Sequence, residues 1–234
     1  IRRFTGRTYT TDQMVFSSIG NFSVTTARDT AARYLAERHT PTRSFQRAVP
    51  AVTPAFEKVL NKHTHQVHCI VGARAYDIND ERRVPLSLLV NILGGPSANS
   101  LLNVLLREKN GLSYNIEASY SPYNDCGFVA IYFSSEHDNA DQCRELIARQ
   151  IDLMRRETLS ARRLSMAKKQ FLAQMAISME NNESYMLGAG KSLLMHDDID
   201  TLEEVYRKVA AVTAQQITDV ANEIFSTTSM LMYK

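Results

Sequence analysis

The sequence predicts an α+β fold built on an antiparallel sheet. Two strand-like segments, residues 112–120 and 127–134, are separated only by the turn-rich Ser121-Pro122-Tyr123-Asn124-Asp125-Cys126, so they read as an antiparallel pair. From residue 140 onward the spacing of apolar residues turns mainly helical. Strands joined by hairpins, with helices grouped after them, distinguish this pattern from a doubly wound sheet. With 234 residues, 44% of them apolar, the chain is long enough to bury one or two cores.

In order, residues 14–21 (MVFSSIGN) form an apolar run with a Gly-Asn stop and read as a strand. Residues 23–38 carry helical spacing at Val24, Ala27, Ala31, Tyr34 and Leu35. Residues 40–54 contain Pro41, Pro50 and Pro54 and no periodicity, which marks a linker and domain boundary. Beyond it, residues 65–75 are a β-branched strand, and residues 80–93 a helix with Pro85 near its first turn and Gly94-Gly95 at its end. A second helix is expected over 97–109, closed by Asn110-Gly111 in the left-handed conformation that glycine adopts without a Cβ penalty. Later helices fall near 140–157, 160–179, 185–194, 201–211 and 213–225. The last opens with Thr213 and Gln216 at capping-box spacing. Residues 229–233 (SMLMY) close the chain as a short strand.

The 27 Lys plus Arg against 25 Asp plus Glu, with the basic pairs scattered among acids, point to neither a nucleic-acid nor a membrane-surface partner. No apolar run reaches the roughly 20 residues a membrane-spanning helix needs. The chain starts at Ile1 with no initiator Met and no leader pattern, and so reads as a fragment or processed form. Cys69, Cys126 and Cys143 are odd in number and irregularly spaced. That argues against a disulfide framework and fits small buried residues in a reducing, cytoplasmic compartment better than a periplasmic one. None of the six histidines, His39, His63, His65, His68, His137 and His196, belongs to H-E-x-x-H or H-x-x-E-H, the patterns that set two His on one helix face beside a Glu. The cluster His63, His65, His68 converges on a metal only if the strand bulges; strand-edge histidines in ordinary hydrogen bonds are the alternative. Gly94-Gly95 follows a helix and matches no phosphate-binding pattern, so it reads as a helix stop.

The most informative stretch is residues 92–116, ILGGPSANSLLNVLLREKNGLSYNI. Leu93-Gly94-Gly95, Leu106-Arg107-Glu108-Lys109, Gly111-Leu112 and Tyr114 resemble the C-terminal domain of pitrilysin-type (M16, inverzincin) zinc metallopeptidases and processing peptidases. Residues 14–22, 159–170 and 212–221 extend the resemblance over most of the chain. Pro96-Ser97-Ala98-Asn99 and Leu101 depart from the family's small-residue stretch and its common Arg.

The resemblance implies a sheet covered by helices on one face, with residues 1–40 supplying the terminal strand and helix of a preceding zinc-binding-type domain, 41–53 a linker and 54–234 the substrate-wall domain. It implies zinc in the full-length protein with its ligands outside this chain, no catalytic or metal residue here, and no activity of this chain alone. Its expected partners are an extended peptide substrate and a second family half or subunit, in a homodimer or heterodimer. A non-catalytic partner subunit and a structural core or scaffold subunit are the alternatives. The resemblance also assigns Arg107 and Tyr114 to substrate binding. The spacing suits this, because Arg in a helix's last turn and Tyr at the start of the next strand straddle one tight turn, and both side chains donate hydrogen bonds. Read without the resemblance, Arg107 complements the helix C-terminus and Tyr114 is a half-buried strand aromatic.

Overall fold

A computed structural model of the chain describes residues 1–35, 48 and 50–234. Its elements are α1 (Arg2–Thr8), α2 (Val24–Leu35), β1 (Glu57–Leu60), β2 (Val67–Ala75), α3 (Arg83–Gly94), a π-helix (Asn103–Lys109), β3 (Asn115–Pro122), β4 (Gly127–Ser135), α4 (Ala140–Arg156), α5 (Ala161–Glu180), α6 (Asn182–His196), α7 (Leu202–Ala211), α8 (Ala214–Ile224) and β5 (Ser229–Tyr233). They divide into two compact units. The larger comprises Val49–Leu172 with Tyr206–Lys234, the smaller Ile1–Ala48 with Ala173–Val205. The larger unit thus opens inside the linker expected at 41–53, while residues 173–205 of the domain expected at 54–234 group with the smaller unit. Most of that linker, His39 and the end of the first predicted helix lie outside the described residues.

In the larger unit the five strands form one sheet in the order β1-β5-β2-β4-β3. From β5 to β3 every pairing is antiparallel, as the hairpin pattern predicted, and β1 adds to β5 in parallel. Alternation decides which face is buried. Val67, Cys69 and Ala73 of β2, Val129, Ile131 and Phe133 of β4, and Met230 and Met232 of β5 all point to one side, and all are buried. Helices cover that side with apolar stripes at three- and four-residue spacing. They are Leu86, Leu89 and Leu93 of α3, Cys143, Ile147, Ile151 and Met154 of α4, and Ile217, Val220, Ala221 and Ile224 of α8. The opposite parity leaves Ile70 and Phe128 exposed. The predicted capping box starts α8: the Thr213 hydroxyl accepts from the Gln216 N–H at 3.1 Å, and the Gln216 side chain accepts from the Thr213 N–H at 2.8 Å.

Three expectations need correction. β1 was not foreseen, because Glu57-Lys58-Val59-Leu60 is a largely exposed edge without alternation; it becomes a strand through Met230 N–H to Phe56 O at 2.7 Å and Lys234 N–H to Leu60 O at 3.0 Å. Residues 14–21 are not a strand. The backbone is extended at Met14, but among the described residues no strand pairs with it, and a strand exists only with a partner. In the smaller unit this segment instead meets α6, with the Ser17 hydroxyl donating to Met186 O at 2.7 Å. The helix expected over 97–109 begins only at Leu101 and widens into the π-helix.

Candidate functional site

The π-helix and the turn after it place the predicted site residues. Its sheet side is set by Leu102 and Leu106, both fully buried. Burial at i and i+4 is compatible with an α-helix or with the wider π turn, so the apolar pattern alone did not reveal the widening. On its other flank Leu101 and Leu105 are only half-buried and line an open groove of about 770 Å³ shared with Leu153, Arg163 and Met166.

The helix ends as predicted, at Gly111 with φ +61°, the left-handed conformation. Three successive carbonyls are taken up by the turn. Leu105 O accepts from the Asn110 side-chain amide at 2.6 Å, Leu106 O from the Leu112 N–H at 2.8 Å, and Arg107 O from the Gly111 N–H at 3.1 Å. On the sheet side Ser113 is 2% exposed, and its hydroxyl lies 2.7 Å from Ser134 O and 3.0 Å from Asn115 O. Asn115 pairs with Ser134 at the start of β3. The chain is therefore pinned immediately before and after Tyr114.

Arg107 and Tyr114 stand on either side of this turn. Tyr114 is 83% exposed, so it is not the half-buried strand aromatic of the alternative reading. The Arg107 side chain is 53% exposed, and its ion pair among the described residues, Nε to Glu108 Oε1 at 3.6 Å, is an exposed contact of small energetic weight. Both donors are thus presented to solvent. Sequence reasoning missed the Asn110 and Ser113 contacts, because no periodicity signals a side chain that bonds a backbone carbonyl, whether within its own turn or on a neighbouring strand.

Among the described residues the histidines do not assemble a metal site. His63 and His65 precede β2 rather than lying on it. His68 pairs through Nδ1 with the Tyr132 hydroxyl at 2.8 Å, and His137 Nε2 lies 3.0 Å from Thr64 O. Among the described residues no group of three His, Cys, Asp or Glu side chains could hold a metal. The described residues therefore do not fit zinc. The cysteines are free thiols; Cys69 and Cys143 are buried, and burial pushes the Cys69 thiol up to about 11.

A second polar cluster joins the start of α3 to α8. The Tyr76 hydroxyl donates to Glu223 at 2.8 Å. Arg82 stacks 4.2 Å over the Tyr76 ring and donates to Glu223 at 2.9 Å and Asp80 at 2.7 Å. Burial, then the Glu223 carboxylate, raises the Tyr76 phenol, and the bond from Arg82 lowers Asp80. These groups satisfy one another, and the cluster acts as a clasp between elements.

The model of the peptidase M16 inactive domain matches residues 1–171. An uncharacterized zinc protease YmxG of Bacillus subtilis is 28% identical over 229 residues, which is 97% of this chain and 54% of the relative. An uncharacterized zinc protease of Streptomyces coelicolor is 27% identical, over 96% of this chain and 50% of the relative. The chain thus spans about half the length of these relatives. Among solved structures, a peptidase M16 inactive domain from Pseudomonas fluorescens superposes with a TM-score of 0.79 at 19% identity, covering 92% of this chain and 52% of that one. A protease from Helicobacter pylori gives 0.78 at 15% identity, over 92% and 54%. Among the described residues, no helix is long and apolar enough to cross a membrane. With the one-faced sheet, the Leu-Gly-Gly helix end and the Gly111 turn in place, the family match over most of its length means that this chain belongs to the peptidase M16 family, as its inactive domain.

Proposed function

We propose that this chain is the substrate-gripping, non-zinc-binding portion of a zinc-dependent endopeptidase acting on extended peptides, with Arg107 and Tyr114 as the gripping residues. The observation that supports the reading most is the joint exposure of the two donors across one pinned turn. A guanidinium offers five N–H donors and no acceptor, and a phenol offers one O–H. The complementary groups on a substrate are backbone carbonyls, which every peptide carries. In a folded protein those carbonyls are already paired; in a short or unfolded segment they are free. The grip therefore selects for conformation more than for sequence. Zinc would be held by polypeptide outside these residues, since no group among the described residues fits it.

A non-catalytic partner subunit in a two-chain peptidase would use the same wall, and the presence of donors without metal ligands suits that arrangement too. The test uses the full-length protein, purified alone, on a quenched fluorescent peptide. Arg107→Ala is expected to lower kcat/KM by about 10- to 100-fold, the weight of a hydrogen bond from a charged donor, and Tyr114→Phe by about 2- to 10-fold, that of a neutral one. Unchanged kcat/KM in both variants would sink the gripping role. Cleavage that survives a chelator would sink zinc dependence, and activity only after adding a second polypeptide would favour the partner-subunit reading.

A further inference from the structure

We propose that Asn110 and Ser113 are positioning residues whose contacts hold Arg107 and Tyr114 in the geometry that grips a peptide; this rests on the gripping reading above. An exposed side chain with few contacts can be pre-organised only through its backbone. Tyr114 is in that condition, and among the described residues the ion pair of Arg107 is the 3.6 Å contact to its neighbour Glu108. Whatever fixes their direction must act on the backbone of residues 105–115.

Two devices there fix it. On the helix side, the Asn110 amide closes on Leu105 O at 2.6 Å, bridging five residues and enclosing Arg107 within the bridged segment. Arg107 O is itself tied to the Gly111 N–H at 3.1 Å, so the backbone at the root of the guanidinium is held from both sides. On that flank Leu101 and Leu105 are only half-buried beside an open groove, so the Asn110 bond adds a restraint where side-chain packing is incomplete. On the sheet side, the buried Ser113 hydroxyl reaches Ser134 O on β4 at 2.7 Å, anchoring the residue before Tyr114 to the strand that pairs with the residue after it.

A purely structural role accounts poorly for Asn110. Gly111 in the left-handed conformation already ends the helix, and Asn110 is exposed, so its bond adds little to global stability. Its effect falls on geometry, where a displacement of about 1 Å can cost up to about 100-fold in rate.

The experiment uses the full-length protein, with kcat/KM on a quenched extended peptide and Kd for the same peptide carrying fluorescein, read by anisotropy. Kd carries the comparison if turnover is absent. Asn110→Ala is expected to lower kcat/KM, or raise Kd, about tenfold while Tm stays within about 2 °C of wild type. Asn110→Asp keeps the shape but cannot donate, so it should behave as Asn110→Ala does. Because Asn110 acts through Arg107, adding Asn110→Ala to Arg107→Ala should change the result by less than about twofold. Ser113→Ala combined with Tyr114→Ala gives the parallel cycle on the sheet side. Wild-type behaviour of Asn110→Ala overturns the proposal. So does a full tenfold loss in the Arg107→Ala background, which marks a general defect. If Arg107→Ala and Tyr114→Ala themselves change neither kcat/KM nor Kd, the gripping reading fails first and the proposal falls with it.

Discussion

Replacing Gly94 by alanine tests how α3 is seated on the sheet. A Cβ at Gly94 would lie 2.7 Å from the Ala118 backbone nitrogen and 2.8 Å from the Ala118 Cβ. Carbon atoms in ordinary contact stand about 3.5–4.0 Å apart, so α3 would have to retreat from β3 by several tenths of an ångström or more. The same helix carries Leu86, Leu89 and Leu93 into the core, each fully buried, and a retreat loosens all three. Overpacking of this kind costs about 1–3 kcal/mol, and removing a helical glycine returns up to about 1 kcal/mol, less at a helix end. The expected net effect is destabilisation by about 1–2 kcal/mol, read as a lower urea midpoint with an unchanged m-value. Gly188→Ala is the control: that glycine sits in α6 with nothing within 4 Å of the methyl that alanine would add, so the same substitution should stabilise by about 0.5–1 kcal/mol. If Gly94→Ala proved as stable as wild type, the close approach of α3 to β3 would be refuted, and with it the packing role of the Leu-Gly-Gly motif.

Thiol titration at neutral pH should find Cys126 reacting first and Cys69 and Cys143 silent until denaturant is added; burial raises all three thiols, with Asp125 adding to the rise at Cys126, but only the two buried ones are shielded, and rapid reaction of more than one thiol would contradict the core packing. Burial pushes the Tyr120 phenol up to about 12 and raises Tyr76 as well. A raised folded value means that the stability these phenols contribute is complete below the ordinary tyrosine range near pH 10 and is lost as pH rises through the folded value. Phenolate absorbance followed beside circular dichroism should therefore show a late step coincident with unfolding, and ionisation of every tyrosine in the folded protein near pH 10 would refute this. Thr213→Ala removes the acceptor for the Gln216 N–H and should cost about 1 kcal/mol, measured by urea unfolding, whereas a loss under a few tenths would mean the box is not formed in solution.

What the sequence discloses follows from what hydrophobic periodicity encodes, namely which face of an element is buried. β2, β4, α4 and α8 were legible because one face of each meets the core, and the Thr213–Gln216 box was legible because its partners are three residues apart. Elements defined by a distant backbone partner were not. β1 has no apolar pattern and exists because β5 pairs with it, while residues 14–21 have the pattern but pair with no strand among the described residues. The candidate site lies on the other side of the same divide. Arg107 and Tyr114 point away from the core, so periodicity says nothing of them; only the resemblance of residues 92–116 singled them out, and the structure adds that both are exposed. Asn110 and Ser113 escaped both kinds of signal, since their bonds depend on the widened helix and the Gly111 turn, which the i, i+4 burial of Leu102 and Leu106 leaves unspecified. A pattern of apolar residues thus locates the platform, whereas the polar contacts that pin the turn between Arg107 and Tyr114, from Asn110 to Leu105 O within it and from Ser113 to Ser134 O across to β4, leave no trace in that pattern.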